Sequence, residues 1–228
     1  MTSALPSPVT LACSGLLCLA SVASAQETVD VGRLKNEDIQ VVQDVLYPKT
    51  GRLEIGGHLG WLAFDPLVTA PKAELSIDKH FSEALSLSVM VGGGYGFETL
   101  GYAELEAPPY NVAPDAYGYL ASALVGVTWA PIYAKMASGG KKVVHYDVFF
   151  SARGGGTLEY SVIDHTKITG APTVGLGVGA RFFVREDLAV RVEIRDDLMV
   201  EWRPTSSAWW FKQNGGVTLG ITWFGSRR

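Results

Sequence analysis

The chain has 228 residues, a formal net charge of −4, 18% charged residues and 11% aromatics. The charged share lies below the ~25% of soluble domains, and no basic footprint for nucleic acid is present. Both cysteines, Cys13 and Cys18, fall in the first 25 residues, so beyond that point the chain has no thiolate metal site and no nucleophilic thiol.

Those first 25 residues carry no charge, Val9 to Ala20 is an apolar run, and Ala23-Ser24-Ala25 is a small-residue A-x-A site. We expect a signal peptide over 1–25, cleaved after Ala25. It departs from the usual pattern in having no Lys or Arg before the apolar run. The other reading is a lipoprotein leader ending at Cys13 or Cys18. It fits less well, because Thr10-Leu11-Ala12 and Gly15-Leu16-Leu17 make poor lipid-attachment boxes. Residues 26–50 are polar and mixed, with Ile39, Val41, Val42 and Val45 adding some apolar character. They are expected to form a partly ordered periplasmic arm.

From Gly51 onward, over 51–228, the chain alternates with period 2, so one face of each segment is apolar and the other polar or small. Arg52–Asp65 sets Leu53, Ile55, Leu59 and Trp61 against Arg52, Glu54 and His58. Pro71–Lys79 sets Ala73, Leu75 and Ile77 against Glu74, Ser76 and Asp78. Phe81–Phe97 sets Leu85, Leu87, Val89 and Val91 against serines, Met90 and glycines. Tyr117–Tyr133 aligns Tyr117, Tyr119, Ala121, Ala123, Val125, Val127, Trp129 and Tyr133. Val143–Tyr160 sets Val144, Tyr146, Val148 and Phe150 against His145, Asp147, Ser151 and Arg153. Pro172–Val184 sets Val174, Leu176, Val178 and Phe182 against glycines and Arg181. Leu188–Trp202 sets Val190, Val192 and Ile194 against Arg191, Glu193 and Arg195. Gly215–Phe224 sets Val217, Leu219, Ile221 and Trp223 against glycines and threonines.

Eight strands suit an all-β, antiparallel up-and-down transmembrane β-barrel, whose closure leaves no backbone polar group facing lipid. A soluble eight-stranded barrel would carry the same alternation with the apolar face inward. The aromatics separate the two. With the N-terminus periplasmic, Trp61, Tyr95, Phe97, Tyr117, Tyr119, Tyr160 and Trp202 fall near the outer ends. Trp129, Tyr133, Tyr146, Phe182 and Trp223 fall near the periplasmic ends. Two girdles on the apolar phase are what the two membrane interfaces favour. The expected turns are Lys79–Ala84, Lys135–Lys142 and Arg185–Leu188. The expected outer loops are Pro66–Ala70, Glu98–Ala116, Ser161–Ala171 and Arg203–Asn214, mostly longer than the turns, as such barrels require. Ala116–Ala134 is uncharged and long enough for a transmembrane helix. Its alternation, Pro131 and glycines, and the open edge a helix would leave in lipid, favour a strand.

On the inward phase, Glu54, Glu74, Asp78, Asp147, Glu193 and Asp197 nearly balance Arg52, Arg153, Arg181, Arg191 and Arg195. An eight-stranded barrel has room for little beyond its own side chains. A charge network that closes the lumen is therefore expected in place of a selective pore. Asp196 falls on the lipid phase. His145, Asp147 and Ser151 share one inward face, but residues two apart on a strand lie ~6.6 Å apart, too far for a hydrogen-bonded relay. His58 and His145, with Asp147 or Glu54, lack metal-ligand spacing. Gly92-Gly93-Gly94-Tyr95-Gly96 and Gly154-Gly155-Gly156 lie in strands and are not phosphate loops. No catalytic residue, metal or cofactor is expected. The outer loop Glu98–Ala116, with Tyr102 and Tyr110 as contact residues, is the expected working surface.

The stretch Val41-Val42-Gln43-Asp44-Val45-Leu46-Tyr47-Pro48-Lys49 before Gly51-Arg52-Leu53-Glu54 resembles the myxobacterial outer membrane β-barrel domain family. So do the Asp78-Lys79-His80-Phe81-Ser82 and Phe182-Phe183-Val184-Arg185-Glu186-Asp187-Leu188 turns, the latter followed by Arg191, Glu193 and Arg195-Asp196. The likeness runs from about Asp38 to Phe224. It implies a barrel of a bacterial outer membrane and brings no catalytic residues. Some relatives are linked to gliding-motility machinery, which implies a place in a cell-envelope complex. The tail Gly225-Ser226-Arg227-Arg228 departs from barrels that end on the aromatic read by the insertion machinery. The expected function is a non-enzymatic structural or interaction role. The alternatives are a small enzyme or lipid-binding barrel, and a narrow channel. Expected partners are outer membrane lipid, the barrel-insertion machinery and other envelope proteins, with no nucleic acid.

Overall fold

The computed structural model describes residues 46–63, 65–138, 142–203 and 208–226, the side chains at 137, 138 and 142 aside. The expected signal peptide, both cysteines and most of the N-terminal arm lie outside these residues. Nine strands and one short helix are present among them: β1 Leu53–Leu62, β2 Val68–His80, β3 Leu85–Gly94, β4 Phe97–Glu98, α1 Leu100–Glu106, β5 Tyr117–Ser138, β6 Lys142–Ser161, β7 Ile168–Arg185, β8 Leu188–Arg203 and β9 Ala208–Phe224. β4 is a two-residue strand on the upper edge of β2, pairing Val68 with Glu98 and Thr69 with Phe97. The other eight pair antiparallel with their neighbours, and β1 pairs with both β2 and β9. The sheet is therefore closed, and every spanning strand has two partners.

The stagger is readable from the register. Leu62 pairs with Gly216, Gly216 with Arg195, Arg195 with Gly177, Gly177 with Ser151, Ser151 with Thr128, Thr128 with Ser86, and Ser86 with His80. His80 returns to β1 by its N–H donating to Arg52 O, ten residues below Leu62. Ten residues of shear over eight strands tilt them by about 40°. The interior is then only wide enough for side chains.

The alternation places each side chain. Along β2, buried and exposed residues alternate without a break from Lys72 to His80. Ser76 and Asp78 face in, and Leu75 and Ile77 face out. Val89, Val125 and Val178 are exposed on the outside, and Val148 and Val192 lie half-buried on the same phase. Ala116–Ala134, the stretch weighed as a helix, forms most of β5, and no helix among the described residues is long and apolar enough to cross a membrane.

β5 departs from a single phase. Its register with β6 shifts between Tyr119 and Ala121 and again between Trp129 and Ile132. Each bulge flips the alternation. Pro131 sits in the second, where a residue with no N–H is tolerated. As a result Tyr117 and Tyr119 are buried inside and Tyr133 packs on His145 and Phe183, against the expectation that all three join the outer girdles. Trp61, Tyr95, Trp129, Trp202 and Trp223 are exposed on the exterior, with Tyr146 and Phe182 stacked together beside them at 5.9 Å. Gly126, between the bulges, is forced by space: a Cβ there would run into the β6 backbone at Ala152 and Arg153.

The strands also extend beyond the predicted limits. β9 begins at Ala208, with Lys212 and Asn214 turned inward and Phe211 and Gln213 outward, and β7 begins at Ile168, paired with Tyr160 of β6. The connections 81–84 and 186–187 are short and share one end of the barrel; 63–67, 95–116 and 162–167 lie at the other. We call these the turn end and the loop end.

Candidate functional site

Inside and outside are inverted relative to a soluble protein. Leu59 is 72% exposed and Leu75 63%, while Arg153 is 2% and Glu193 1% exposed. Leaving dozens of Leu, Ile and Val in water would forgo ~1.5–3 kcal/mol each, so the exterior belongs in hydrocarbon. A closed antiparallel barrel with an aliphatic exterior, exposed tryptophans near its strand ends and a charged interior is of the outer-membrane type. The chain resides in a bacterial outer membrane.

The lumen is filled in tiers. At the turn end, Glu54 accepts from His80 Nε2 at 2.8 Å and lies 3.1 Å from Arg181. Asp147 lies 3.7 Å from Arg181 and accepts from Lys49 Nζ at 2.5 Å. In the middle, Glu193 is gripped by Arg153 at 2.7 Å, Arg191 at 3.1 Å and the Ser151 hydroxyl at 2.6 Å. Arg191 also lies 3.5 Å from Asp78 and stacks on the buried Phe149 ring, its guanidinium carbon 4.3 Å from the centroid. Above this, Arg195 joins Glu74 at 2.5 Å to Asp197 at 2.9 Å, with Lys72 3.0 Å from Glu74. Near the loop end, Lys212 Nζ lies 2.8 Å from Glu159 and 3.4 Å from both Glu201 and Asp65.

Nine of the ten residues expected in this network stand in it: Glu54, Glu74, Asp78, Asp147, Arg153, Arg181, Arg191, Glu193 and Arg195 are all buried. Arg52 does not. It precedes β1 and lies on the turn-end rim, donating to the carbonyls of Gly225 at 2.8 Å, Glu186 at 2.8 Å and Phe224 at 3.1 Å. Sequence reasoning missed Lys72, Glu159, Glu201 and Lys212, although the phase of Lys72 signals its direction. It also missed Lys49, which lies outside any strand. Among the described residues, eight buried Asp and Glu face seven buried Lys and Arg, with His80 as an eighth partner.

Residues 46–50, expected as part of a periplasmic arm, instead close the turn end. Tyr47 stacks on Phe183 with ring centroids 5.4 Å apart, and Lys49 is buried against Asp147. Glu83, in the turn after β2, clamps the segment by accepting from Lys49 N at 2.8 Å, Thr50 N at 3.1 Å and Thr50 Oγ1 at 2.6 Å. Partial burial opposes ionisation of Glu83, but these bonds outweigh it and hold the carboxyl below its ordinary value. Gly51, φ 78°, takes the left-handed turn from this segment into β1.

Among the described residues the serine, histidine and aspartate weighed as a relay do not assemble. His145 bonds Tyr133, Asp147 bonds Lys49, and Ser151 bonds Glu193, so the three never meet. His58 Nε2 and Ser76 Oγ are 2.9 Å apart, but both are buried in the packed lumen with no approach for a substrate. Among the described residues no group of His, Cys, Asp and Glu is arranged to hold a metal.

At the loop end, Thr99 caps α1 and ties it to the Pro66 carbonyl at 2.5 Å. Tyr102, expected as a surface contact, is the buried anchor of this cap, packed with Val68, Ala116 and Val162. Burial raises its hydroxyl pKa. From α1 to Ala116 the exposed large apolar side chains are Leu100 at 84%, Tyr110 at 63% and Val112 at 53%, standing among the exposed acids Glu104 and Glu106. On the outer face of β8, Asp196 accepts from Gln213 Nε2 at 2.6 Å, so this acid on the lipid phase has a hydrogen-bond partner.

A scan against protein-family models and a search of curated proteins returned no match. Solved structures do align. Neisserial surface protein A matches with 7% identity, covering 75% of this chain and 95% of its own, at a TM-score of 0.42. Ail, the attachment invasion locus protein of Yersinia pestis, matches with 12% identity over 76% and 97%, at 0.39. A major outer membrane protein from Thermus thermophilus matches with 10% identity over 76% and 98%, at 0.40.

Proposed function

We propose that this protein is a non-conducting, non-enzymatic barrel that presents a binding surface at the outside of the outer membrane. The turn end faces the periplasm. The observation that carries this reading is the filled lumen. With the interior occupied by paired charges and its turn end closed by Tyr47 and Lys49, only the exterior and the loop end remain to meet other molecules. The resemblance to a barrel family with relatives in gliding motility supports a place in a cell-envelope complex of that kind.

The loop after β3 is built for contact: α1 is pinned by Thr99 and Tyr102, and that rigid base holds Leu100, Tyr110 and Val112 in solvent. Loops held by a rigid scaffold commonly carry binding, and these three apolar side chains are the contact residues assigned here. The test replaces Leu100, Tyr110 and Val112 together by serine, leaving Tyr102 in place. The variant should keep its heat-modifiable gel mobility and lose the envelope or motility phenotype that the full protein supports. A folded variant that behaves as wild type in every such assay removes this surface from the account.

A further inference from the structure

We infer that the upper edge of β9 is an acceptor for an extended strand from another polypeptide. The register isolates this edge. β9 pairs with β1 only up to Gly216–Leu62, plus the bond from Ala63 N to Gly215 O. It then continues to Ala208, paired on its other side with β8 through Arg203–Ala208. β7 also leaves this ribbon: its pairing with β8 ends at Thr173–Met199, just before Pro172, which has no N–H to give. The last four pairs, from Val200–Phe211 to Arg203–Ala208, therefore stand as a two-stranded ribbon above the wall.

The direction of its hydrogen-bonding groups follows from two bonds. Gly225 N donates to Leu53 O and Ala63 N donates to Gly215 O, so odd-numbered residues of β9 address β1. Phe224 N donates to Asp187 O, so even-numbered residues address β8. With no register shift between β8 and β9, Trp209, Phe211 and Gln213 point their N–H and C=O groups at the side where β1 has ended. Among the described residues none of these groups has a backbone partner there. The edge is apolar as well as open, with Trp209 65% and Phe211 68% exposed. Natural edges of this length are normally blunted by charge, proline or a bulge, and this one has none of the three at its outward positions.

The inner face of the ribbon is already held. Lys212 Nζ donates to the Tyr117 carbonyl at 2.7 Å and to Glu159 at 2.8 Å, and Arg203 sits 5.8 Å from the Tyr117 ring centroid. The ribbon is thus rigid before anything binds, which lowers the ordering cost of adding a strand. A second copy in the same membrane does not fit. Two β9 strands related by an axis along the membrane normal, each tilted about 40°, would cross at about 80° and form no ladder. The occupant is an extended segment of a different protein, with apolar residues at alternate positions to cover Trp209 and Phe211.

This inference rests on the loop end being the working face, but its test is separate. Amide exchange is measured at Trp209, Phe211 and Gln213 in purified full-length protein in lipid nanodiscs, and in outer membranes of the native cells. Exchange should be fast in nanodiscs and at least about tenfold slower in native membranes. The slowing should vanish after protease treatment of the cell surface. The variant Phe211→Pro removes one edge N–H and no bond to β8. It should keep the heat-modifiable barrel and lose a photo-cross-link made from position 213 in native membranes. Equal fast exchange in both settings, slow exchange already in nanodiscs, or slowing that survives proteolysis would each overturn the inference. A serine triple at 100, 110 and 112 that loses function while this edge exchanges fast everywhere would leave the broader reading standing and this one refuted.

Discussion

Replacing Arg191 by Met should be among the most damaging single changes in the lumen. The guanidinium is 1% exposed, 3.1 Å from Glu193 and 3.5 Å from Asp78. At an effective dielectric near 20, each contact is worth about 5 kcal/mol of Coulomb attraction before desolvation is subtracted. Glu193 keeps Arg153 after the change, but Asp78 has no second ion-pair partner among the described residues. Met restores most of the volume over Phe149, so the cost isolates the stranded carboxylate. Breaking a buried pair in this way costs about 3–5 kcal/mol, roughly a hundred- to several-thousandfold in the folding equilibrium. Adding Asp78→Asn to Arg191→Met should return most of that loss, because the stranded charge is then gone. The assay is urea unfolding of the refolded barrel in lipid vesicles, followed by tryptophan fluorescence and by heat-modifiable mobility. A cost under about 1 kcal/mol for Arg191→Met, or no recovery in the double variant, would show that water in the lumen screens these charges and would refute the dry, paired interior.

Three further outcomes follow from the same structure. Glu83→Gln should loosen residues 46–50 without unfolding the barrel, and acid should do the same to the wild type. Because the folded carboxyl titrates below its ordinary value, its stabilisation is complete above that ordinary value and is lost as pH falls through the lower folded one. Reactivity of a single cysteine placed at Leu46, taken relative to the same cysteine in urea-unfolded protein at each pH, should rise as pH falls over that window, and a flat ratio would argue against the clamp. Gly126→Ala should destabilise by about 1–3 kcal/mol, since the added Cβ meets backbone rather than a movable side chain; an unfolding midpoint equal to wild type would contradict that. Among single-tryptophan variants, brominated lipid should quench Trp129 and Trp223 strongly and Trp210 weakly; Trp210 is 48% exposed, but it shares the even-numbered phase of the inward Lys212 and Asn214 and lies beside Arg203. Uniform quenching would undo the assignment of faces.

The spanning strands were legible because period-2 alternation is a direct imprint of a sheet with unlike faces. β2 reads inward and outward without a break, and nine of ten named lumen charges follow from phase alone. The failures on β5 share a cause: phase is local, and a bulge resets it. Tyr117, Tyr119 and Tyr133 sit outside the bulges of β5, so counting straight through from Val125 sends them to the wrong face. Pro131 was the visible hint for one bulge; nothing comparable marks the other. Strand ends were misjudged where an inward polar residue looks like a loop residue, as with Lys212 and Asn214, and this hid the ribbon of β8 and β9. Arg52 fell just before the register began, where a long side chain can reach the rim carbonyls instead of the lumen. Tyr102 shows the same limit in a loop: its burial depends on Val68, Ala116 and Val162, all distant in sequence from the helix that carries it.

The most direct test of the account is electrical. Purified protein inserted in a planar lipid bilayer should show no steady conductance of porin size, because the tiers joined through Arg153, Glu193, Arg195 and Glu74 fill the interior. The same silence is expected of a variant with Tyr47→Ala and Lys49→Ala, since the tiers above that closure remain. A reproducible porin-sized conductance from the wild-type protein would contradict the filled lumen and, with it, the assignment of function to the outer surface.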